Sequence, residues 1–469
     1  YNWYSTIGVR SIKISPAGNV YVCGIFDPFT QFVVINADGT TGQAGYYLRY
    51  GSCTSGEGYL MKFNSSGIWQ WAMNTYGQGN VGGYSLSSNG INDLVLDSTE
   101  TNLYAVGTSY GPYGQNQTGP IIGFAKFGAG TYYTEKQING VYGAAVQYSG
   151  VGDAFAFSMT TSGNFNWVAR ISGYLTSELG TGVATDASNN PYFSGYTSAT
   201  SLVAEDGAGL NPKTLTGYAG GTWITGYTQA GVPSWIAGIG GANIPRGMLF
   251  NGTNLLIYGQ YSSSITAGTV TRGTGGGATI FLASCTTAGA VNNGVVTVTG
   301  NYEQAYSAAS LDSAGNVYLT GTWKSQTLTF TDFYGTQKTV AANDSGAGTY
   351  NEIFVIKVLS GTTYGWGIKT QGALDNTPQG IAVSSTGDFY LYGWFSSSPL
   401  TIYNANGTSG VVITPQSTQL NEGGGDAFSF IAKYNNIGTL TRSSYSSFGF
   451  DELFDSSQGI IPGISIPLH

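Results

Sequence analysis

Apolar and polar residues alternate with a period of two through short segments bounded by turns, a pattern that predicts β-strands and not helices. One signature recurs six times in such segments: Asn or Asp, any residue, usually Tyr, two further residues and Gly. Its copies occupy residues 19–24, 102–107, 190–195, 254–259, 316–321 and 388–393. Turns rich in Asp, Ser, Asn and Gly precede the signature, and these residue types favour tight hairpins. Each signature is therefore predicted to form strand B of a hairpin that begins with strand A.

A second hairpin, made of strands C and D, is predicted after every signature. Strand C starts with an acid and an aromatic residue in four repeats, and strand D often carries Trp shortly after a Gly. Repetition of four antiparallel strands predicts an all-β protein, a single β-propeller of six four-stranded blades, with seven blades as the alternative. We expect the repeats to begin near residues 10, 90, 180, 245, 306 and 378.

The two ends of the chain are predicted to close the propeller. Residues 1–8 look like the strand D segments, although they precede the first strand A. We expect them to act as a closing strand that pairs with the C-terminal repeat, within a propeller that spans residues 1–450. Residues 451–469 fit no repeat and are predicted to form a C-terminal tail or docking arm.

Two motifs are shared with a known repeat. GDAF occurs at residues 152–155 and 425–428, before a Gly turn that often carries Trp, and DSAGNVY occurs at residues 312–318. This combination resembles the SBBP family of β-propeller repeats, in degenerate form over most of residues 10–445. The fourth repeat departs most, since Leu256 replaces the signature Tyr. The resemblance implies a propeller in secreted, cell-surface or virion proteins, generally without assigned catalysis, and it brings no catalytic motif.

The composition narrows the range of functions. Lys and Arg number 16 in 469 residues and show no runs, and with 24 acids they give a net charge of −8, so a nucleic-acid footprint is missing. No apolar stretch approaches about 18 residues, which argues against a membrane span. The one histidine is His469, so histidine-based triads, dyads and zinc sites are close to excluded. With 9% charged residues and 73 Gly, the composition favours an extracellular, cell-surface or virion-surface protein.

The repeated acids are the first candidates for chemistry. They begin strand C and are Glu57, Asp153, Glu352 and Asp426. We expect each to cap the turn that enters its own strand. A shared cation site and a glycosidase-like pair of carboxylates are the alternatives. No catalytic, cofactor-binding or metal-binding residue is predicted, and no cofactor.

The repeated aromatic residues are predicted to hold the blades together. The signature tyrosines expected to pack between blades are Tyr21, Tyr104, Tyr192, Tyr318 and Tyr390. The tryptophans of strand D, taken as the outer strand, are Trp71, Trp167, Trp235 and Trp366. We expect them to cover the seams between blades, with stacking on sugar rings as the alternative.

Covalent modification and long loops complete the prediction. Candidate glycosylation sequons lie at Asn64, Asn116, Asn251, Asn343 and Asn406, and one disulfide between Cys23 and Cys53 is an option that the spacing leaves open. Loops 27–55, 108–150 and 322–350 contain alternating apolar residues, so we expect them to add short hairpins or carry binding.

The function predicted from these features is non-enzymatic. We expect a rigid extracellular or virion-surface structural or interaction protein that packs with itself or with other surface proteins. A carbohydrate-binding, lectin-like adhesin is the alternative, and a carboxylate-based glycan hydrolase or lyase comes third. Partners are itself, other structural proteins or glycans, with no nucleic acid.

Overall fold

The computed structural model describes residues 7–26, 34–42, 57–77, 89–110, 120–128, 131–139, 152–173, 176–206, 208–218, 220–273, 277–300, 304–324, 327–342, 350–414 and 428–446. Within these ranges every regular element is a β-strand, and the strands pair antiparallel, which confirms the all-β prediction. None of these residues belongs to a helix long and apolar enough to cross a membrane.

The chain divides into two compact units. The first comprises Tyr1–Phe250 with Cys285–Val291, and the second comprises Asn251–Ser284 with Asn292–His469. The strands of the first unit are β1 (Ile7–Ile14), β2 (Val20–Phe26), β3 (Val34–Ile35), β4 (Thr41–Gly42), β5 (Glu57–Phe63), β6 (Trp69–Gly77), β7 (Asn89–Leu96), β8 (Asn102–Tyr110), β9 (Pro120–Gly128), β10 (Thr131–Asn139), β11 (Gly152–Thr160), β12 (Phe165–Gly173), β13 (Glu178–Thr185), β14 (Pro191–Thr197), β15 (Ser201–Asp206), β16 (Lys213–Thr216), β17 (Gly221–Tyr227) and β18 (Pro233–Phe250).

The remaining strands lie mainly in the second unit, but the end of one strand and the start of the next fall within Cys285–Val291 of the first unit. They are β19 (Asn254–Ala267), β20 (Val270–Gly273), β21 (Thr279–Thr286), β22 (Val291–Thr299), β23 (Gln304–Leu311), β24 (Val317–Trp323), β25 (Thr327–Thr331), β26 (Gln337–Ala342), β27 (Glu352–Leu359), β28 (Thr363–Gln371), β29 (Asn376–Val383), β30 (Phe389–Phe395), β31 (Leu400–Tyr403), β32 (Ser409–Ile413), β33 (Phe428–Tyr434) and β34 (Leu440–Ser446).

The predicted order of strands A, B, C and D recurs inside both units. In the first unit it reads β1-β2-β5-β6, β7-β8-β11-β12 and β13-β14-β17-β18. In the second unit it reads β23-β24-β27-β28 and β29-β30-β33-β34, and the fourth repeat contributes β19, β21 and β22 as its strands B, C and D. Repeats 1 to 6 are numbered below in chain order.

The signature glycine lies where strands A and B come closest. Gly24, Gly107, Gly195, Gly321 and Gly393 each face strand A directly beside a shift in register, the mark of a β-bulge. At Gly195 a Cβ atom would lie 1.8 Å from the Leu179 carbonyl oxygen. Glycine is therefore required because the bulge brings two backbones together, as the sequence predicts.

In four repeats strand D is not the outer strand of its sheet, contrary to the sequence-based assignment. In four repeats a further hairpin pairs with strand D, and that hairpin comes from the B–C connection of the following repeat. The pairs are β9–β10 on β6, β15–β16 on β12, β25–β26 on β22, and β31–β32 on β28. We call this arrangement the hairpin relay. Loops 108–150 and 322–350 supply two of these hairpins, as expected, and loop 27–55 contains β3–β4.

Two of the relayed hairpins, β25–β26 and β31–β32, also contact the C–D turn of their own repeat. In repeat 6 the Ala405 amide donates to the Gly438 carbonyl at 2.9 Å, and the Leu440 amide donates to Asn404 Oδ1 at 2.8 Å. In repeat 5 the turn of β25–β26 is held similarly, through the Phe333 amide on the Thr362 carbonyl. A relayed hairpin therefore ties two repeats together.

The termini are described only in part. Ile7 and Gly8 belong to β1, where they lie opposite Phe26 and Ile25, so they form strand A of repeat 1 rather than a separate closing strand. Residues 1–6 and 451–469, the rest of the closing strand and the tail, lie outside the described residues.

Candidate functional site

The tryptophans of strand D form a repeated hydrogen bond to the next repeat. Trp167 Nε1 donates to the carbonyl of Gln229 at 2.8 Å, and Gln229 is the second residue of the C–D turn in repeat 3. The carbonyl acceptors of Trp71, Trp235 and Trp366 occupy the same turn position, and they are Thr161, Thr287 and Asn436. These four tryptophans therefore cover seams, as predicted.

Turn glycines let the indole rings approach. Gly231 closes the turn that receives Trp167, it has a φ of +81°, and a Cβ atom there would lie 2.5 Å from the indole Cγ. Trp167 also stacks on Tyr227 with ring centroids 5.8 Å apart and meets Phe193 edge-on. The indole NH of Trp167 is hydrogen-bonded within the protein, and Tyr227 and Phe193 pack against its ring. The ring is therefore poorly placed to stack on a sugar.

The signature tyrosines pack in the same seams. Tyr21, Tyr104, Tyr192 and Tyr318 are buried, and Tyr390 is half-buried. The Tyr104 hydroxyl donates to the Asn189 carbonyl in the A–B turn of the next repeat, and the Tyr318 hydroxyl reaches the Gly387 carbonyl equivalently. These contacts confirm packing between repeats for Tyr104 and Tyr318.

A buried lysine joins the seam between repeats 5 and 6. Lys357 Nζ lies 2.7 Å from the Tyr318 hydroxyl and 3.3 Å from Asp312 Oδ2, and it approaches the Asn436 carbonyl at 3.5 Å. Hydrogen bonds from Asn316 and the charge of Lys357 hold the pKa of Asp312 below its usual value, although burial opposes this. The charges of Lys357 and Asp312 are thus paired with each other, and the contacts hold the two repeats together.

The acids at the start of strand C make contacts that the sequence prediction missed. Glu352 is 1% exposed and accepts hydrogen bonds from the Gly372 amide at 2.6 Å, Thr370 Oγ1 at 2.9 Å and Asn376 Nδ2 at 3.1 Å. Thr370 is in strand D, and Asn376 opens strand A of repeat 6. The carboxylate therefore links strands C and D to the next repeat instead of capping the turn that enters strand C.

Glu57 and Asp153 occupy the equivalent position in the first unit. Glu57 is fully buried and accepts a hydrogen bond from Asn74 Nδ2 of strand D at 2.8 Å. Asp153 Oδ2 lies 3.9 Å from the guanidinium of Arg170, which pairs more closely with Glu205 on the relayed strand β15. Asp426 lies outside the described residues.

The described residues contain no group of three or more His, Cys, Asp or Glu side chains that could hold a metal ion. Two of the repeated acids, Glu57 and Glu352, accept hydrogen bonds from donors within their own repeat or the next. These contacts give the acids a role as joints between strands. The shared cation site and the catalytic carboxylate pair gain no support from them.

The predicted modification sites fall in turns. Asn406 is exposed at the tip of β31–β32, whereas Asn64 and Asn251 are half-buried in turns, where their side-chain oxygens accept backbone amides. Asn116 and Asn343 lie outside the described residues. Cys23 is buried in β2, and its predicted partner Cys53 is also outside them, so the bridge stays a prediction.

Comparison with known proteins adds little. No family model and no curated protein matches the chain. Among solved structures, a Synechocystis apocarotenoid oxygenase variant is similar at 10% identity and a TM-score of 0.27, over 94% of this chain and 95% of that chain. A TM-score this low carries no argument, and the resemblance to SBBP repeats stays a prediction.

Proposed function

We propose that the chain is a closed six-bladed propeller that serves as a non-enzymatic structural or interaction protein on an extracellular or virion surface. The observation that carries this proposal is that the repeated side chains hold one repeat to the next. The seam tryptophans, the buried tyrosines and the relayed hairpins are engaged in packing. A molecule built in this way is rigid, and rigidity suits a building block.

Closure follows from extending the hairpin relay by one step. Among the described strands β34 has β33 as its sheet neighbour, and β3–β4 forms a separate two-stranded sheet. The β3–β4 hairpin lies in the B–C connection of repeat 1, so the relay assigns it to strand D of the repeat before it. In a ring that repeat is repeat 6, and its strand D is β34.

The β3–β4 hairpin is held by its own repeat in the way the relayed hairpins are. The Ala37 amide donates to the Gly67 carbonyl at 3.2 Å, and the Trp69 amide donates to Asn36 Oδ1 at 2.8 Å. The equivalent bonds in repeat 6 join the turn of β31–β32 to its own C–D turn. We therefore infer that β3–β4 is the fifth relayed hairpin, and that it closes the ring.

The relay also gives a register for this pairing. Ile171 lies opposite Ala204 and Thr370 lies opposite Ile402, at equivalent positions of two relayed hairpins. Ile171 and Thr370 each lie four positions after the seam Trp of their strand D. Ala204 and Ile402 each lie two positions before the Asp or Asn that opens the turn of the hairpin.

Applied to closure, this register brings two exposed apolar side chains together. It puts Val34 opposite Ser446 and Ile35 opposite Tyr445. Ile35 is 67% exposed and Tyr445 is 39% exposed. Pairing would cover both, and it would occupy the hydrogen-bonding edge of β34, which an isolated sheet leaves open to other chains.

Assembly of the purified protein tests the functional proposal. Negative-stain microscopy over a concentration series, with light scattering alongside, is expected to show six-lobed discs that form filaments, rings or arrays as concentration rises. Discs that stay separate at every concentration would contradict a self-assembling building block. If a panel of sugars then raised the melting temperature, the adhesin function would replace the structural one.

A further inference from the structure

Two carboxyl groups at the start of strand C, one in each unit, lie where consecutive repeats join; Glu352 is buried and Asp153 is half-buried. In the second unit the Glu352 carboxylate receives three hydrogen bonds, one of them from Asn376 of the next repeat. The charged group that faces it is Lys369 of strand D, whose Nζ lies 5.0 Å from the centre of the Tyr403 ring. Glu352 is thus a buried acid that is bonded mainly to neutral groups.

The joint between repeats 2 and 3 gathers three acids around one cation. Asp153 on β11 is faced by Arg170 on β12, Glu178 on β13 and Glu205 on β15. Arg170 binds Glu205 directly and Asp153 only at 3.9 Å. When all three carboxyl groups are ionised, the single positive charge of Arg170 therefore cannot neutralise their three negative charges.

Glu178 adds an oxygen that has no partner. Its Oε1 accepts hydrogen bonds from Thr176 at 2.6 Å and Thr197 at 2.9 Å, whereas its Oε2 is buried and has no hydrogen-bond partner among the described residues. A buried ionised oxygen without a partner is costly, and a proton removes that cost.

We propose that Asp153 and Glu178 form a proton-dependent joint, which holds repeats 2 and 3 together when protonated and loosens them when ionised. Burial raises the pKa of Asp153 to about 7, and the acids Glu178 and Glu205 raise it further while Arg170 opposes them. Burial also raises the pKa of Glu352 to about 7, against the hydrogen bonds that it accepts. The pKa of Glu178 is raised for the same reason.

The direction of the pH effect follows from these shifts. The folded protein keeps protons that the unfolded chain releases, because the folded pKa values lie above the ordinary values of 3.8 and 4.5. The stabilisation is complete below about pH 4 and is lost as the pH rises through 7. With 16 Lys and Arg in 469 residues, acid also produces little self-repulsion. The protein is therefore suited to acidic surroundings.

Thermal unfolding from pH 5 to pH 8 tests the proposal on the full chain. The melting temperature is expected to fall by about 5 °C over this interval. The double variant Asp153→Asn with Glu352→Gln mimics the protonated groups, so its melting temperature should change much less and should match or exceed that of the wild type at pH 8. Asp38→Asn is the control: Asp38 is exposed, hydrogen bonds from Thr40 hold its pKa below the usual value, and the slope should stay that of the wild type.

Two results of thermal unfolding would overturn the proposal. One is a wild-type melting temperature that stays constant or rises from pH 5 to pH 8, and the other is a wild-type slope in the double variant. The infrared C=O stretch of protonated carboxyl groups provides a measurement that needs no variant. We expect it at pH 6 in the folded wild type with loss near pH 7, and its absence at pH 6 would contradict the account. These readouts concern each unit by itself and do not depend on ring closure or assembly.

Discussion

Replacing residues 34–42 by a Gly-Ser linker of the same length is expected to lower the free energy of unfolding by about 5 kcal/mol and the melting temperature by about 10 °C. Under the proposed closure, this change removes the hairpin that covers β34, together with its ladder hydrogen bonds and the contact between Ile35 and Tyr445. Thermal unfolding at low protein concentration measures the effect. We expect the opened protein also to aggregate, because the edge of β34 becomes available to other chains.

A second relayed strand provides the control. Replacement of β16 by Gly-Ser removes the outermost strand of a sheet that has no role in closure and is mostly exposed, so the expected loss is only about 1 kcal/mol. If β3–β4 paired with no other strand, it would be mostly exposed, and replacing it would lower the free energy of unfolding by a similarly small amount. An unchanged melting temperature would therefore contradict closure by this hairpin.

Gly231→Ala is expected to destabilise the protein by about 3 kcal/mol, the second-largest effect. Alanine at a positive φ costs about 1 kcal/mol or more, and its Cβ would lie 2.5 Å from the Trp167 Cγ, where overpacking adds about 2 kcal/mol. The Gln229 carbonyl would also lose its alignment with the indole NH. Denaturant unfolding with the slope checked for constancy measures the change.

Gly407→Ala separates the two causes. Gly407 has a φ of +82°, nearly the same as the +81° of Gly231, but a Cβ atom there would meet nothing within 4 Å. We expect this variant to lose only the backbone contribution, about 1 kcal/mol. Equal losses in the two variants would show that the Trp167 seam does not restrict the turn.

Local features of the fold could be predicted from the sequence because the same residue types recur at equivalent positions of the repeats. The alternation of apolar residues gives the strands, the signature glycine marks the bulge, and the Trp after a Gly turn marks the seam. These features depend on neighbours within one repeat or on a position that recurs in the next. A single sequence is sufficient to recognise them.

The hairpin relay could not be predicted in the same way. The relayed hairpins at residues 201–216 and 400–413 share only an Asn/Asp-x-x-Gly turn, at residues 206–209 and 404–407, and each pairs with a strand that precedes its own repeat in the chain. A local interpretation assigns them to loops and makes strand D the outer strand. One signal was present, namely the alternating apolar residues within the long B–C connections.

The role of the repeated acids was missed for a related reason. Their residue type and position before a strand are typical of a turn cap. The partner that shows otherwise, Asn376, opens the following repeat, 24 residues after Glu352. Tertiary placement, and not local sequence, decides which donors reach a buried carboxylate.

Disulfide trapping tests the central claim, closure of the ring by β3–β4, most directly. Ile35→Cys combined with Tyr445→Cys, in a Cys53→Ser background, is expected to form an intramolecular disulfide at high dilution under mild oxidation. Leu210→Cys with Tyr445→Cys is the control, since Leu210 is similarly exposed but belongs to the turn of another relayed hairpin. A monomeric cross-link in the first pair alone is the predicted result. Failure to cross-link, or links only between separate molecules, would contradict closure within one chain.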